Sequence, residues 1–538
     1  MQKLHNTQSK HTPFSLDYQV LLPLNVAVLI PENDPVRLLR DFMDKLDYTL
    51  LKESYSDIDR KPSVCPITML KILVYSYMNN IYSSRKIESA CRRDINFIWL
   101  LQGQAPPEHS SIARFRSKHL LGYIETIFYQ SVEYLHSIEE IPFKNIFIDG
   151  TKIEANANRY SFVWKKSTER YEASLRIKIS TLFKQINATF QTAFTLQESE
   201  NPLPSLRIAY QYLCIVGQQN SIAFVSGRGH RKTFLQRAVE TLADFIRRQE
   251  KYNKYNKILG GRNSFSKTDT DATFMRMKED HMLNGQLKPG YNVQIGVEAE
   301  YIVGMDIFSE RNDVNTLVPF MNKVQSELGG TFENVVADVG YESEENYEYL
   351  ESSKSISYIK PQNYEKMKQR KFKKSIGRAE NMIYDESMDE YTCKNGRKLR
   401  ACATQMRKSI VGYSSDVTVY ECENCRDCQY RLDCTKAKPE NNKRIYISKK
   451  FQAYRKESLM NIQTKEGIML HMNRSIQVEG AFGIIKQDHA FRRFLMRGKN
   501  KVKVEFLLLS LAFNVNKLHK KRQRDKVHEY LYKIDIAA

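Results

Sequence analysis

Two stretches of the chain share one pattern. In "NIFIDGTKIEANANRY" the apolar run Ile146-Phe147-Ile148 leads to Asp149, and in "NVVADVGYESEENY" the run Val335-Val336-Ala337 leads to Asp338. Each run has the composition of a strand, so each aspartate is predicted at a strand tip, where open α/β sheets bind their ligands. Asp-Gly is also among the commonest turn pairs, and Asp149-Gly150 read alone is a turn that ends the strand. Two carboxylates brought close repel each other unless a cation holds them. A third acidic candidate is Glu479 in "NRSIQVEGAFGIIKQDHAFRRF". On a helix, Lys486 shares its face, and Val478, Phe482 and Ile485 line the adjoining apolar side. An acidic side chain beside core residues is costly to bury unless something pairs with it, and on the helix alone Glu479 reads as a salt-bridged surface residue. Three carboxylates suit Mg2+ or Mn2+, hard ions that take oxygen ligands, keep several waters and need neither His nor Cys. Two such ions about 4 Å apart clamp the attacking and leaving oxygens of a phosphoryl transfer.

A second constellation is made of sulfur. Cys422, Cys425, Cys428 and Cys434 in "ECENCRDCQYRLDCTK" are spaced x2, x2 and x5. Four thiolates this close suit a tetrahedral Zn2+, with an iron–sulfur cluster as the alternative. Cys393 and Cys402, upstream in "YTCKNGRKLRACA", are available to replace one of the four. A site closed by four thiolates leaves no open position, so its role is structural. Cys65, Cys91 and Cys214 stand alone and read as small core residues.

The elements that must position these groups follow from periodicity. Residues 1–140 read as helical: "PVRLLRDFMDKLDYTLL" and "PITMLKILVYSYMNNIYSSRKIESACRR" repeat apolar residues at three- and four-residue steps. A further helix follows the Pro-Pro break, with Ser110 or Ser111 as its cap. Arg92, Arg93, Arg114, Arg116 and Lys118 suit a DNA-binding bundle, and a dimerisation module would look the same. The first strand ends at Asp149, and a charged helical insert occupies about 160–285. "GYNVQIGVEAE" and "YIVGMDIFSE" then form a hairpin of period-two strands. A helix stopping at Gly329-Gly330, the strand before Asp338, a helix from near Ser343 and the strand "SISYIK" complete residues 141–360. Residues 361–460 break the rhythm with the basic run "KMKQRKFKKSIGR", which holds Lys373 and Lys374, and with the cysteines. A long helix resumes around 464–490, within a closing segment, 461–538, that ends in a basic tail.

A chain of 538 residues exceeds one ordinary core, which predicts several domains. The 83 Lys and Arg exceed the 62 acidic residues, a formal net charge of +21 that calls for a polyanionic partner, nucleic acid first. Nine cysteines, an odd number, speak against a disulfide framework. No stretch approaches the roughly 20 apolar residues that span a bilayer, and the first residues have no apolar signal core. No membrane partner and a cytoplasmic, nucleoid-associated location are therefore expected.

Taken together, "IDGTKIEANAN", "SKTDTDATFMRMKEDHMLNGQLKPGYNVQIGVE", "ADVGYESEENY" and "RSIQVEGAFGIIK…RFLMRG" resemble the DDE transposases of bacterial insertion sequences, in their cysteine-containing lineage. The resemblance covers most of the chain. It implies an α/β fold: an RNase H-like mixed sheet with a helical N-terminal domain, a helical insert after the first strand and a small cysteine-rich metal-binding insert. It implies Asp149, Asp338 and Glu479 as the catalytic triad holding Mg2+ or Mn2+, cleavage of the element's ends, and joining of the freed 3′-OH to target DNA. It further implies Lys486, Arg474, Arg492, Arg493, Lys373 and Lys374 as contacts to double-stranded DNA, terminal inverted repeats and target alike, and a homodimer in the DNA complex. A catalytically inactive DNA-binding descendant, or an RNase H-like nuclease without strand transfer, would share these motifs. Many relatives carry Tyr-x2-Arg-x3-Glu-x6-Lys around the glutamate. Here Glu479 and Lys486 keep the x6 spacing, His471 takes the Tyr place, and four residues instead of three separate Arg474 from Glu479. Asp269 and Asp271 in "SKTDTDATF" read as structural or DNA-proximal.

Overall fold

The computed structural model describes residues 25–55, 62–197, 201–227, 229–277 and 285–529. The N-terminal residues 1–24 read above for a signal, part of the segment after Asp271, and the end of the basic tail lie outside them.

The central sheet has six strands, five of which are β1 (Asn145–Glu154), β2 (Leu287–Glu298), β3 (Tyr301–Phe308), β4 (Asn334–Ala337) and β5 (Ile356–Ile359). Their spatial order is β3-β2-β1-β4-β5, and the short strand Thr273–Arg276 also pairs with the start of β2. β2 runs antiparallel to β1 and β3, whereas β4 is parallel to both β1 and β5. The predicted hairpin is present. Ala299 and Glu300 connect β2 to β3 with φ of 50° and 71°, the backbone that a two-residue turn between twisted strands requires. The parallel strands need crossovers, supplied by helices Leu317–Leu328 and Glu344–Ser352. The first stops at Gly329 in the left-handed region, and the second is capped by Ser343, whose side chain accepts from Asn346 N.

β1 does not end at Asp149. It continues to Glu154, with Gly150 opposite Gln294 and Lys152 opposite Asn292. Pairing with β2 through Glu154 overrides the local turn preference of Asp-Gly after the pairing with β4 has ended at Ile148, and a glycine inside a strand marks a close approach instead.

The N-terminal helices, the sheet and helix Lys499–Gln523 share one continuous apolar core. That last helix is buried on nearly every side from Val502 to Val515, as expected for a helix apolar all round. Its Asn514 side chain bonds both backbone groups of Ile302, at 2.9 Å each, and so locks the helix to β3. Asp269 and Asp271 are engaged within the fold: Asp269 accepts from the Tyr291 hydroxyl (2.9 Å) and Gly498 N, and Asp271 accepts from Lys499 N (2.9 Å). They anchor the start of this helix, where carboxylates meet unpaired N–H groups. In the N-terminal bundle the helix after Pro-Pro begins at His109, not at a serine cap, and Glu88 of a neighbouring helix takes the His109 N–H (3.0 Å). Arg116 is buried and spent on Tyr77, Tyr82 and Ser84, so it belongs to the bundle's interior and not to a basic surface.

The helical insert after β1 consists of Lys165–Phe190, Leu203–Gln219 and Phe234–Leu259, packed around their own core of Leu175, Ile179, Leu206, Leu213 and Leu242. Residues 383–447 form an antiparallel meander of five strands. The helix that follows, Lys449–Gln463, packs on β5, with Ser458 Oγ bonded to Ile359 N at 3.1 Å.

Candidate active site

The register of the sheet brings the two aspartates together. β1 and β4 pair Ile148 with Ala337, and the next step in parallel register sets Asp149 level with Asp338. Asp149 is 8% exposed, in the middle of β1, whereas Asp338 lies just past β4, where it caps a short 3-10 turn through Val339 N (2.7 Å).

The element facing them is the helix that begins at Lys465. It is not a uniform α-helix. Ser475–Glu479 and Ile484–Asp488 are π turns on either side of a short α segment. A π turn absorbs one extra residue without breaking the helix and is common at functional sites. The fourth residue between Arg474 and Glu479 falls inside the first π turn. Arg474 Nη2 lies 3.5 Å from Asp149 Oδ2 and 3.9 Å from Asp338 Oδ2, and its Nε donates to the Ile148 carbonyl at 3.4 Å. Arg474 is 6% exposed and Asp149 8%, so their contact is largely desolvated, where charge–charge attraction is strengthened, whereas the Asp338 side chain is 47% exposed.

His471, one turn earlier, faces the same region. Burial first, then the positive charges of Arg474 and Lys360, push its ring down to about 4, leaving it neutral near pH 7. Its Nε2 is buried without a hydrogen-bond partner among the described residues. Neither His471's neutral state nor Arg474's reach was legible from spacing alone.

Glu479 closes the first π turn and is exposed, while its neighbours Val478 and Gln477 are buried, Gln477 accepting from Glu300 N at 2.9 Å. Among the described residues no three His, Cys, Asp or Glu side chains converge in a metal-holding arrangement. The structure thus joins Asp149, Asp338 and Arg474, and sets Glu479 on the facing helix.

The other expected DNA contacts are spread around this helix and the sheet edge. Lys486 lies in the second π turn. Arg492 is exposed and donates to Gln487 Oε1 (2.7 Å), and Arg493 donates to the Ala155 carbonyl (3.3 Å). Lys373 and Lys374 are exposed, at the end of the short helix Arg370–Lys373.

The four cysteines grouped by spacing stand together, with one of the two upstream cysteines beside them. Cys422, Cys425, Cys428 and Cys434 line one cavity of ≈ 20 Å³, and Cys393, thirty residues upstream on the adjoining hairpin, lines it too. Lys443 N donates to Cys425 Sγ at 3.3 Å. Cys402 is exposed and donates to the Val419 carbonyl, away from the cluster. Of the three isolated cysteines, Cys91 is buried as expected, but Cys65 is exposed.

Comparison with known families agrees with this architecture at two places. The family model described as "Transposase DDE domain" matches residues 392–519, from Cys393 through the helix bearing Arg474 and Glu479, and the "Transposase domain (DUF772)" model matches residues 24–118. No curated protein and no solved structure gives a significant match. Both matched models describe transposase domains, and together they indicate a DDE transposase of the insertion-sequence type. Among the described residues no helix is long and apolar enough to cross a membrane.

Proposed function

We propose that this transposase is catalytically active: it cuts double-stranded DNA at the terminal inverted repeats of its element and joins the freed ends to target DNA, using Asp149, Asp338 and Glu479 to hold Mg2+ or Mn2+. The observation that carries the reading is the level placement of Asp149 and Asp338 on adjacent parallel strands, with one buried guanidinium against both. Two carboxylates at one spot demand positive charge, and oxygen donors of this kind fit a hard divalent ion. When bound, such ions neutralise the scissile phosphate and lower the pKa of the attacking hydroxyl.

The protein's own groups set the geometry. The strand order β3-β2-β1-β4-β5, with β4 and β5 parallel to β1, supports an RNase H-like core within residues 141–360, completed by the segment 461–538. Glu479 reaches the carboxylate pair by a turn of the helix it sits on, which the adjacent π turns make adjustable. Arg474 keeps the two aspartates in place, and Lys486, Arg492, Arg493, Lys373 and Lys374 hold the DNA backbone as charged donors. Water attacks the phosphorus and the 3′ oxygen leaves with a proton as a 3′-OH. That hydroxyl then attacks a target phosphodiester, one bond forming as one breaks, so no nucleotide triphosphate is consumed. The N-terminal 1–140 segment serves as the DNA-binding or dimerisation domain, and two copies pair two DNA ends.

In the 361–460 insert, the cavity that Cys422, Cys425, Cys428 and Cys434 share with Cys393 supports a structural Zn2+, with Cys393 available to replace one of the four. Thiolates fit zinc, the Lys443 N–H supplies the sulfur-directed donor typical of an anionic ligand, and one of the five is surplus to a four-coordinate ion.

The test is a paired-end reaction with purified protein, duplexes bearing the element's two ends, Mg2+ and a target plasmid. Joined products support a transposase in action. Cutting without joining would make it a nuclease, and end binding without cutting an inactive descendant.

A further inference from the structure

Behind the carboxylate pair, on the opposite face of β1, lies a fourth acidic residue. Side chains alternate across a strand, so Gly150 and its partner Gln294 face away from Asp149. Asp313, in the short turn after β3, fills the space there. Its Oδ1 accepts from Asn292 Nδ2 at 2.7 Å and from Gln294 Nε2 at 2.8 Å. Gln294 Oε1 in turn accepts the hydroxyl of Tyr341, a fully buried residue three positions after Asp338. Burial, and then the negative charges of Asp313, Asp149 and Asp338, hold the Tyr341 phenol well above its ordinary value, partly offset by Arg474, so that it stays a donor.

The fit is close at both strand ends. A Cβ at Gly150 would fall 2.2 Å from Gln294 Nε2 and 2.7 Å from Asp313 Oδ1, and one at Gly340 would fall 3.5 Å from Asp313 Oδ2. Gly150 is therefore required because a carboxylate–amide cluster presses against the backbone that carries Asp149. The same cluster, through Gln294 and Tyr341, grips the turn that carries Asp338. Asn346 secures that turn, donating to the Tyr341 carbonyl (2.6 Å) and to the Val314 carbonyl beside Asp313 (2.9 Å).

We infer that Asp313, acting through Asn292, Gln294 and Tyr341, is a positioning residue that fixes the separation of Asp149 and Asp338 from behind the sheet and so sets their affinity for divalent cations. This rests on the reading of those two aspartates as metal ligands. Groups that orient metal ligands from outside commonly change metal affinity by about 10–100-fold when removed.

The test is Mn2+ binding to the full-length protein without DNA, followed by electron paramagnetic resonance, in wild type, Asp149→Asn, Asp313→Asn and Gly150→Ala, with melting temperatures alongside. The expected result is Mn2+ binding that Asp149→Asn abolishes and that Asp313→Asn weakens by about tenfold or more while the protein still melts cooperatively. Gly150→Ala, which displaces the same cluster without removing a carboxylate, weakens it in the same direction. Binding abolished by Asp149→Asn yet unchanged in Asp313→Asn and Gly150→Ala would overturn the inference alone. Binding indifferent to Asp149→Asn would overturn the metal-ligand reading and the inference with it.

Discussion

Arg474 Nη2 stands 3.5 Å from Asp149 Oδ2 in a buried contact, on a helix distant in sequence from β1. The contact ties the facing helix to the central strand and neutralises a carboxylate that would otherwise face Asp338 across the sheet. Removing one partner of a buried ion pair leaves the other uncompensated and costs about 3–5 kcal/mol.

For Arg474→Ala the ion-free protein should therefore melt lower than wild type. Mg2+ should raise its melting temperature more than it raises that of wild type, because the cation restores the lost charge. Calorimetry at several Mg2+ concentrations measures both. An equal Mg2+ effect in the two proteins would remove Arg474 as the counter-ion of the pair.

The π turn at Ser475–Glu479 carries one residue more than an α-helix would. Deleting exposed Ile476 should convert the turn to α-helix and restore the three-residue spacing between Arg474 and Glu479. The protein should keep its helicity and cooperative melting, whereas deleting Met472, four residues earlier in the regular α segment, should rotate His471 out of register and lower stability. Circular dichroism of both deletions distinguishes them, and equal losses would mean the π turn has no slack to give.

How much of this was visible beforehand depends on the range of the interactions. The hairpin at Ala299-Glu300, the stop at Gly329 and the Ser343 cap are local, and each was legible. Asp149 and Asp338 were legible because an apolar run followed by an aspartate survives any register. The continuation of β1 through Gly150 was not, since Asp-Gly reads as a turn until β2 pairs with it. Asp313 was missed for a similar reason. Its signal lay elsewhere, in Asn292 and Gln294, two amides on one face of the otherwise apolar "YNVQIGV". The meander at 383–447 was hidden because the outer half of Lys398–Lys408 is exposed on both faces and shows no alternation. Cys393 joins its cluster through the hairpin, a contact that spacing cannot report.

Glu298 gives a pH signature. It is buried at the end of β2, where one oxygen accepts from Lys144 N (2.8 Å) and Asn145 N (2.6 Å) and the other has no hydrogen-bond partner among the described residues. Burial, opposed only in part by these N–H groups, raises its carboxyl to about 7. A raised carboxyl favours the folded state while it is protonated. That stability is fully present below about pH 4.5, the ordinary glutamate value, and is lost as pH rises through about 7. The loss is on the order of 2–3 kcal/mol. Urea melts of wild type and Glu298→Gln from pH 5 to 8 should show this dependence flattened in the variant, and parallel curves would contradict the assignment.

The cysteine cluster predicts one tightly held zinc per chain. The double variant Cys428→Ser/Cys434→Ser, which leaves three of the five sulfurs, should lose it and loosen the 361–460 insert to proteolysis, whereas Cys402→Ser should retain it, because that sulfur lies outside the cavity. Elemental analysis of the purified variants decides. Zinc in both variants, or in none of the proteins including wild type, would contradict a thiolate site here.

The central claim is that Asp149 and Asp338 form the catalytic carboxylate pair with Glu479. The measurement that tests it most directly is strand cleavage of a labelled duplex carrying the element's end and flank, in Mg2+ or Mn2+. Wild type is compared with Asp149→Asn, Asp338→Asn and Glu479→Gln, and end binding is measured in parallel. Metal-dependent cutting at the element's end, lost in all three variants while binding persists, is the predicted result. Cutting that survives any one of the three substitutions would contradict that residue's place in the triad, and tight binding with no cutting by wild type under end-pairing conditions would contradict the claim as a whole.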